Sequence, residues 1–356
     1  MILLWLMFFF QQYGISNYIK NGFNSRWYVI GNINQFPINK PTKIIFNGNP
    51  LAVWRDPNNI MSAVSDICPH RGAALSKGRI DYKTNSIVCP YHTFKFSCKG
   101  RMIQTPGSHI IRNSHLYNLK TDVPYFNIIH KGDWVFLQNF PQYEITLNSM
   151  EDNIWIEPEY YNSSFRSVYL SKVFESDVRT VTENSLDILH ISEVHTFGNK
   201  KNPLPISDKI EKIDDNHYKI IYEYKSGKDS IANKLFGIDN LIVENEFILP
   251  HYTVARVKFG KFVNTIVTSA SPVDENKTIL YVKAYRNNWV FNNFPFLNAL
   301  CDKITENMMD KTLSEDKAVI DTIYPKYRDG NFITKYDEFT KLYRDSFTHI
   351  IFKTQE

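Results

Sequence analysis

The chain has 356 residues, with 41 Lys and Arg against 37 Asp and Glu, and the resulting formal charge of +4 is too small to argue for a nucleic-acid partner. That length allows two domains or one large one, with ample mass for a hydrophobic core. Four cysteines, Cys68, Cys89, Cys98 and Cys301, do not suggest a disulfide framework, and free thiols favour a reducing compartment, so a cytoplasmic location is expected.

Residues 1–10, MILLWLMFFF, are uncharged and apolar but number about half the ~20 that a spanning helix needs, and neither a basic n-region nor a small-residue cleavage site follows the pattern of a signal peptide. The segment 1–23 is read as an extension that packs on the fold or stays disordered, with shallow membrane contact through residues 1–10 or a start-site extension as the alternatives. Next come short β-rich runs at 27–30, 43–46 and 51–54, divided by Gly-Asn and Pro signals. Two more, at 86–88 and 134–137, continue a small all-β antiparallel domain over 24–145.

Within that domain lie Cys68-Pro-His70-Arg-Gly72 and Cys89-Pro-Tyr-His92. Each offers one thiolate and one imidazole, and the eighteen residues between His70 and Cys89 can fold as a hairpin that brings the two tips together. Pro69 and Pro90 stiffen the tips, and Gly72 would let the backbone approach a bound group without a Cβ clash. Two Cys and two His in this order suit one [2Fe-2S] cluster. Exchanging two Cys for two His on one iron lifts the reduction potential from roughly −400 mV to about −150 to +300 mV, which makes an electron relay. A zinc site is the alternative from the same ligands, but zinc fingers usually space Cys with Cys and His with His.

From 165 onward the pattern changes: a strand at 167–174, then Glu183-Asn184-Ser-Leu-Asp187-Ile-Leu-His190-Ile-Ser-Glu-Val-His195. Glu183, Asp187 and His190 fall at i, i+4 and i+7, one face of a helix. His195, five residues after His190, would point about 140° away on a regular helix, so both meet one metal only if the helix is irregular near 191–194. Two His with a carboxylate form the facial triad of non-haem Fe(II) sites. Taken alone, a solvated polar helix face explains the same residues. Alternating runs at 218–224, 242–249, 252–259 and 279–285 then read as an antiparallel sheet, 298–321 as a helix, and Phe339, Leu342, Tyr343, Ser346 and Ile350 as the core or interface stripe of a last helix. Pocket residues are expected from this sheet and from 197–204.

The two motifs together resemble those of the Rieske oxygenases, in their homotrimeric monooxygenase and O-demethylase branch, although the family's Gly-Trp after the second cluster His reads Thr93-Phe94 here. The resemblance covers nearly all the chain after residue 24. It implies an α+β protein: an N-terminal all-β Rieske [2Fe-2S] domain followed, over 146–356, by a helix-grip catalytic domain of antiparallel sheet and helices. It implies that Cys68, His70, Cys89 and His92 hold the cluster and that His190 and His195 hold a mononuclear Fe(II). Asp187 would bridge His190 to His92 of a neighbouring subunit, and Glu183 and Asn184 would support the site. The third iron ligand would be a late carboxylate: Asp316 is chosen from Ser314-Glu-Asp316-Lys-Ala-Val-Ile-Asp321, with Asp310 and Asp321 as alternatives. Dioxygen would be the co-substrate and a small, cyclic organic molecule the substrate. NAD(P)H would act only through a separate ferredoxin or flavin reductase, because no G-x-G-x-x-G fingerprint opens a helix here. A non-catalytic electron carrier or redox sensor, and a lipid or pigment desaturase or ring-opening enzyme, are the other functional readings.

Overall fold

The computed structural model describes residues 27–106, 121–142, 154–196, 200–201, 203–225, 240–287 and 294–353. The 1–23 extension and residues 197–199 and 202 of the 197–204 stretch expected at the pocket lie outside these residues. The chain divides into two compact units between Ile154 and Trp155.

In the first unit, runs rich in Val, Ile and aromatic residues form β1 (Trp27–Asn32), β2 (Thr42–Phe46), β3 (Asn49–Arg55), β4 (Met61–Ser65), β5 (Arg79–Asp81), β6 (Ser86–Val88), β7 (Lys95–Ser97), β8 (Met102–Gln104), β9 (Tyr125–Lys131) and β10 (Trp134–Gln142). They build a six-stranded sheet, β1-β10-β9-β4-β3-β2, and a four-stranded sheet, β5-β6-β7-β8. Tyr28, Ile30, Val53, Phe126 and Leu137 share one core, and Trp54, Val64, Leu75, Ile87 and Phe96 share another that also encloses Cys68 and Cys89. Each large apolar side chain so buried contributes roughly 1.5–3 kcal/mol. The small sheet is tied to the large one where Trp54 Nε1 donates to Asn85 Oδ1 at 2.7 Å, in the β5–β6 turn. Gly78 has no substitute here, because a Cβ would stand 2.0 Å from the carbonyl oxygen of Val88. That close approach sets the base of the loop carrying Cys89 beside the loop carrying Cys68.

The second unit is a seven-stranded antiparallel sheet ordered β11-β17-β16-β15-β14-β13-β12. Its strands are β11 (Arg166–Phe174), β12 (Ser207–Asp214), β13 (His217–Lys225), β14 (Asn240–Ile248), β15 (Tyr252–Phe259), β16 (Phe262–Asp274) and β17 (Lys277–Arg286), and its helices α1 (Val178–Leu186), α2 (Ile191–Val194), α3 (Pro295–Ile320) and α4 (Glu338–Lys353). Phe174, Leu280 and Val282 pack with Val178 and Val181 of α1 and Leu313 and Ile320 of α3. Phe247 of β14 packs on Phe339 and Tyr343 of α4, at ring centroid distances of 5.1 and 5.4 Å. These contacts define one face of the sheet as the helix face. The opposite face carries a buried ion pair, Lys283 Nζ to Glu157 Oε1 at 2.6 Å, and Tyr285 donates to the same oxygen.

In this unit two strands, β12 and β16, escaped the sequence reading, and in the first unit β4, β5, β7, β8 and β9 did. β12 is largely charged and exposed, and its pairing with β13 rather than its own pattern makes it a strand. The apolar face of α4 is also shifted: Phe339, Tyr343 and Phe347 are its buried apolar residues, each about one turn of 3.6 residues from the next, so the aromatic at 347 replaces the expected Ser346. Leu342 and Ser346 are half-buried, and the side chain of Ile350 lies outside the described residues.

Candidate functional site: two ligand constellations

The two loops of the first unit are built alike. In the first, Cys68 N donates to Ala73 O at 2.9 Å and Gly72 N to Cys68 O at 2.8 Å. In the second, Cys89 N donates to Phe94 O at 2.8 Å and Thr93 N to Cys89 O at 3.1 Å. Both turns pass through the left-handed region at the fourth residue after the Cys, with φ of 72° at Gly72 and 59° at Thr93. Gly72 therefore serves backbone conformation and not a close approach, since a Cβ there would meet nothing within 4 Å. Asp66 braces the first loop by accepting from Ser76 N at 2.6 Å and Ser76 Oγ at 2.9 Å.

These turns bring His70 Nδ1 to 3.1 Å from His92 Nδ1 and place the Cys68 and Cys89 thiols beside each other. The thiols are buried, whereas His70 is exposed and His92 half-exposed, so the imidazole edge faces solvent. Burial pushes the Cys68 thiol up to about 11, and the adjacent Cys89 thiol adds to that, against backbone N–H groups that pull it down. Two neighbouring thiols and two neighbouring imidazoles, carried by the same pair of loops, make a donor set whose chemistry suits a metal centre. Tyr91 lies over the His92 ring, with centroids 3.7 Å apart, and Phe94 lies 4.8 Å from the His70 ring.

In the second unit the helix carrying the second motif stops earlier than its spacing implies. α1, capped at its start by Asp177 accepting from Thr180 N at 3.0 Å, ends at Leu186, and Asp187 turns to extended backbone with ψ of 126°. The i, i+4, i+7 face expected for Glu183, Asp187 and His190 does not extend to His190. Residues 191–194, where an irregularity was expected, are instead one regular turn, α2, and the break lies just before it at Asp187 to His190. His190 precedes that turn and His195 follows it with ψ of 137°, which lets two His five residues apart converge.

His190, His195 and Asp316 offer ligand atoms that all lie within 4.8 Å of one another. Asp316, 8% exposed on α3, brings Oδ1 to 3.3 Å from His190 Nε2 and 3.4 Å from His195 Nε2. Yet this oxygen has no hydrogen-bond partner. The three groups are directed at a shared point and not at each other. Ligand atoms each ~2.1 Å from one ion at right angles would stand about 3 Å apart, close to the separations found. On its far side His195 Nδ1 lies 3.2 Å from Glu315 Oε2, and His190 Nδ1 lies 3.4 Å from Asp187 Oδ2. Burial works to lower the His190 pKa, but Asp187 and Asp316 outweigh it and hold the ring at about 9. Without a metal, an imidazolium supplies the positive charge that these carboxylates require.

The other candidates are engaged elsewhere. Asp310 pairs with Lys172 at 2.7 Å, while Asp321 accepts from Glu175 N at 2.8 Å and pairs with Lys317. The Glu183 carboxylate binds Arg344 of α4 and Arg179, tying two helices together, and Asn184 is half-buried on α1 with its carbonyl oxygen 3.3 Å from Asp187 N. Glu315 is the residue that sequence reading missed, although it stands beside the chosen ligand in Ser314-Glu-Asp316.

Residues 26–115 match the Rieske [2Fe-2S] domain family, and the first unit carries that domain. The relatives of the chain are oxygenase components of the same Rieske kind. They include 3-ketosteroid-9-alpha-monooxygenase, oxygenase component, of Mycolicibacterium smegmatis, 24% identical over 48% of this chain and 43% of that one. The vanillate O-demethylase oxygenase subunit of a Pseudomonas species is 25% identical over 52% of this chain and 49% of its own. The matches thus span about half the length of these relatives. A crystal structure of dicamba monooxygenase bound to dicamba has the same fold, with a TM-score of 0.75 at 16% identity, covering 94% of this chain and 98% of that one.

Proposed function

We propose that the chain is a Rieske-type oxygenase that uses a [2Fe-2S] cluster on Cys68, His70, Cys89 and His92 and a mononuclear Fe(II) on His190, His195 and Asp316 to hydroxylate or oxidatively demethylate a small, cyclic organic substrate with O2. The observation that carries this reading is the convergence of the two Nε2 atoms on a buried Asp316 oxygen that has no hydrogen-bond partner. When bound, the cluster supplies single electrons and the iron supplies activation of dioxygen. Glu315, 3.2 Å from His195 Nδ1, and Asp187, 3.4 Å from His190 Nδ1, flank the two rings on the side away from Asp316, an arrangement that would steady the rings with Nε2 turned toward a metal. Three ligands on one side leave the opposite side for substrate and O2. Steroid, vanillate and dicamba oxygenation by the similar proteins supports a cyclic substrate.

The functional partition follows the sequence, with 24–145 as the cluster domain and 146–356 as the iron domain. The partners are a ferredoxin or flavin reductase that passes on electrons from NAD(P)H, and two further copies of the chain in a homotrimer. Asp187 of one copy would meet His92 of the next, an arrangement supported by the 36% exposure of the Asp187 side chain. No described helix is long and apolar enough to cross a membrane, and a cytoplasmic location rests on the cysteine argument above. The test is anaerobic purification, iron and acid-labile sulfide counts, and EPR of the reduced protein. About three irons and two sulfides per chain with a Rieske signal are expected. A protein with only the cluster, unchanged by added Fe(II), would be an electron carrier.

A further inference from the structure

Positive charge is gathered where the two cysteine and histidine loops are built. Residues 66–105 hold seven Lys and Arg against two Asp, whereas the whole chain has only 41 basic against 37 acidic residues. Neither acid is left to offset them: Asp66 is buried and accepts from Ser76, and Asp81 pairs with Lys95 at 2.7 Å. Of the seven, Arg71 follows His70 on the first loop, and Lys77 and Arg79 flank Gly78. All three are exposed, and among the described residues none has an acidic partner.

The fold fixes where Lys77 and Arg79 stand. Lys77 ends the short turn Leu75–Lys77, which follows the Cys68 loop and is held to Asp66 through Ser76. Arg79 opens β5 opposite Val88, the residue before Cys89, and Lys95 of β7 lies on the other side of Val88. Between the two cations, Gly78 presses so closely on the Val88 carbonyl that no Cβ fits, so the backbone carrying them cannot drift from the base of the Cys89 loop. Both residues therefore stand at the base of the loops, whereas the His70 and His92 tip is the part that the proposed trimer gives to a neighbouring copy. Cations set close together raise the local potential and speed encounter with an acidic surface.

We propose that Lys77 and Arg79, with Arg71 at the rim, are the docking site for the electron-donating partner, and that this partner is a small redox protein with an acidic face. This rests on the oxygenase reading above and narrows its partner. A partner carboxylate seated on Arg79 would stand across the ladder from the residue preceding Cys89, with the buried thiols just inside. Charge pairing of this kind governs the rate and orientation of encounter more than the final affinity, and salt weakens it. An anionic membrane would meet the same charges, but only an electron donor needs to dock beside Cys68 and Cys89.

The test uses the full chain, purified anaerobically, with an acidic plant-type [2Fe-2S] ferredoxin as the probe and its binding followed by surface plasmon resonance. Binding should weaken roughly tenfold or more as salt rises from about 20 to 200 mM. Lys77→Glu with Arg79→Glu should weaken it by roughly tenfold or more at low salt, and Lys77→Gln with Arg79→Gln should give an intermediate loss. Lys40→Glu with Lys43→Glu, the same change in net charge on two exposed residues at and before β2, should alter it by less than about twofold. Reduction by the methyl viologen radical, a cation, should be no slower in any variant. Equal losses in the two glutamate pairs would trace the effect to net charge and overturn the proposal. So would a change of assembly state in the Lys77 and Arg79 variants, which would give these cations to a contact between copies. Binding to phosphatidylserine vesicles that the variants lose while ferredoxin affinity holds would also overturn it, as would no ferredoxin binding to protein with a full Rieske EPR signal. Protein with no Rieske signal would instead overturn the oxygenase reading, and this inference with it.

Discussion

Thr93 carries a left-handed turn on a β-branched side chain, at φ of 59°, where the companion loop uses Gly72. An L-residue in that region costs roughly 1–2 kcal/mol, and only the surrounding hydrogen bonds, Thr93 N to Cys89 O and Cys89 N to Phe94 O, hold it there. Thr93→Gly should therefore stabilise the protein by about 1 kcal/mol, read as a shift in denaturant midpoint with unchanged slope. A lower midpoint would mean that the threonine side chain makes a compensating contact. At the second constellation, Asp316→Ala should lose mononuclear iron while the visible spectrum of the cluster persists. Full iron retention would return the assignment to Asp310 or Asp321. Glu315→Ala should leave all three ligands in place but free His195 to rotate, weakening iron affinity by roughly 10–100-fold, with Glu315→Gln intermediate. Equal iron affinity in all three proteins would show that His195 is held by packing alone.

Among the elements, the break after α1 matters most for the site. α1 is fixed at both ends, by the Asp177 cap and by the Glu183 carboxylate on Arg344 of α4, so the chain leaves it at a set place and angle. On the far side of the sheet, His217, Glu246 and Arg256 join β13, β14 and β15, with His217 Nε2 2.9 Å from Glu246 Oε2. Burial acts to raise the Glu246 pKa, but the His217 and Arg256 contacts outweigh it, and the value lies below the ordinary 4.5. A carboxyl group depressed by folding contributes stability above its unfolded value near 4.5, and that contribution is lost as pH falls through the folded value. Wild-type protein should accordingly lose stability on acidification below about pH 4.5 more steeply than Glu246→Gln. Parallel stability curves for the two proteins would remove this group from the acid response. The same scale explains which elements were legible: β13, β14, β15 and β17 announce themselves by alternation, whereas charged β12 is a strand because β13 offers it a ladder. The ending of α1 was hidden for a related reason, since helix periodicity continues through residues that the tertiary structure turns out of the helix.

For the whole molecule, the proposed trimer assigns Asp187 a role that no single chain can complete. One of its oxygens accepts from Leu189 N at 2.7 Å, the other faces His190, and the side chain remains partly open to solvent. Asp187→Asn should leave cluster and iron fully loaded yet slow their exchange of electrons, seen as slow single-turnover oxidation of the reduced cluster. Rapid oxidation in the variant would remove Asp187 from the path. The sequence by itself determined the ligand types, the pairing of Cys with His on two loops, and the division into a β-rich unit followed by sheet and helices. Those features are local: ligand chemistry resides in residue identity, and strand or helix patterning in short-range periodicity. Only the tertiary structure decided that Asp316, and not Asp310 or Asp321, meets the two histidines, and that Glu315 braces one of them. Each of these depends on side chains brought together from more than a hundred residues apart, and no local pattern in a chain records which of its distant acids will meet them.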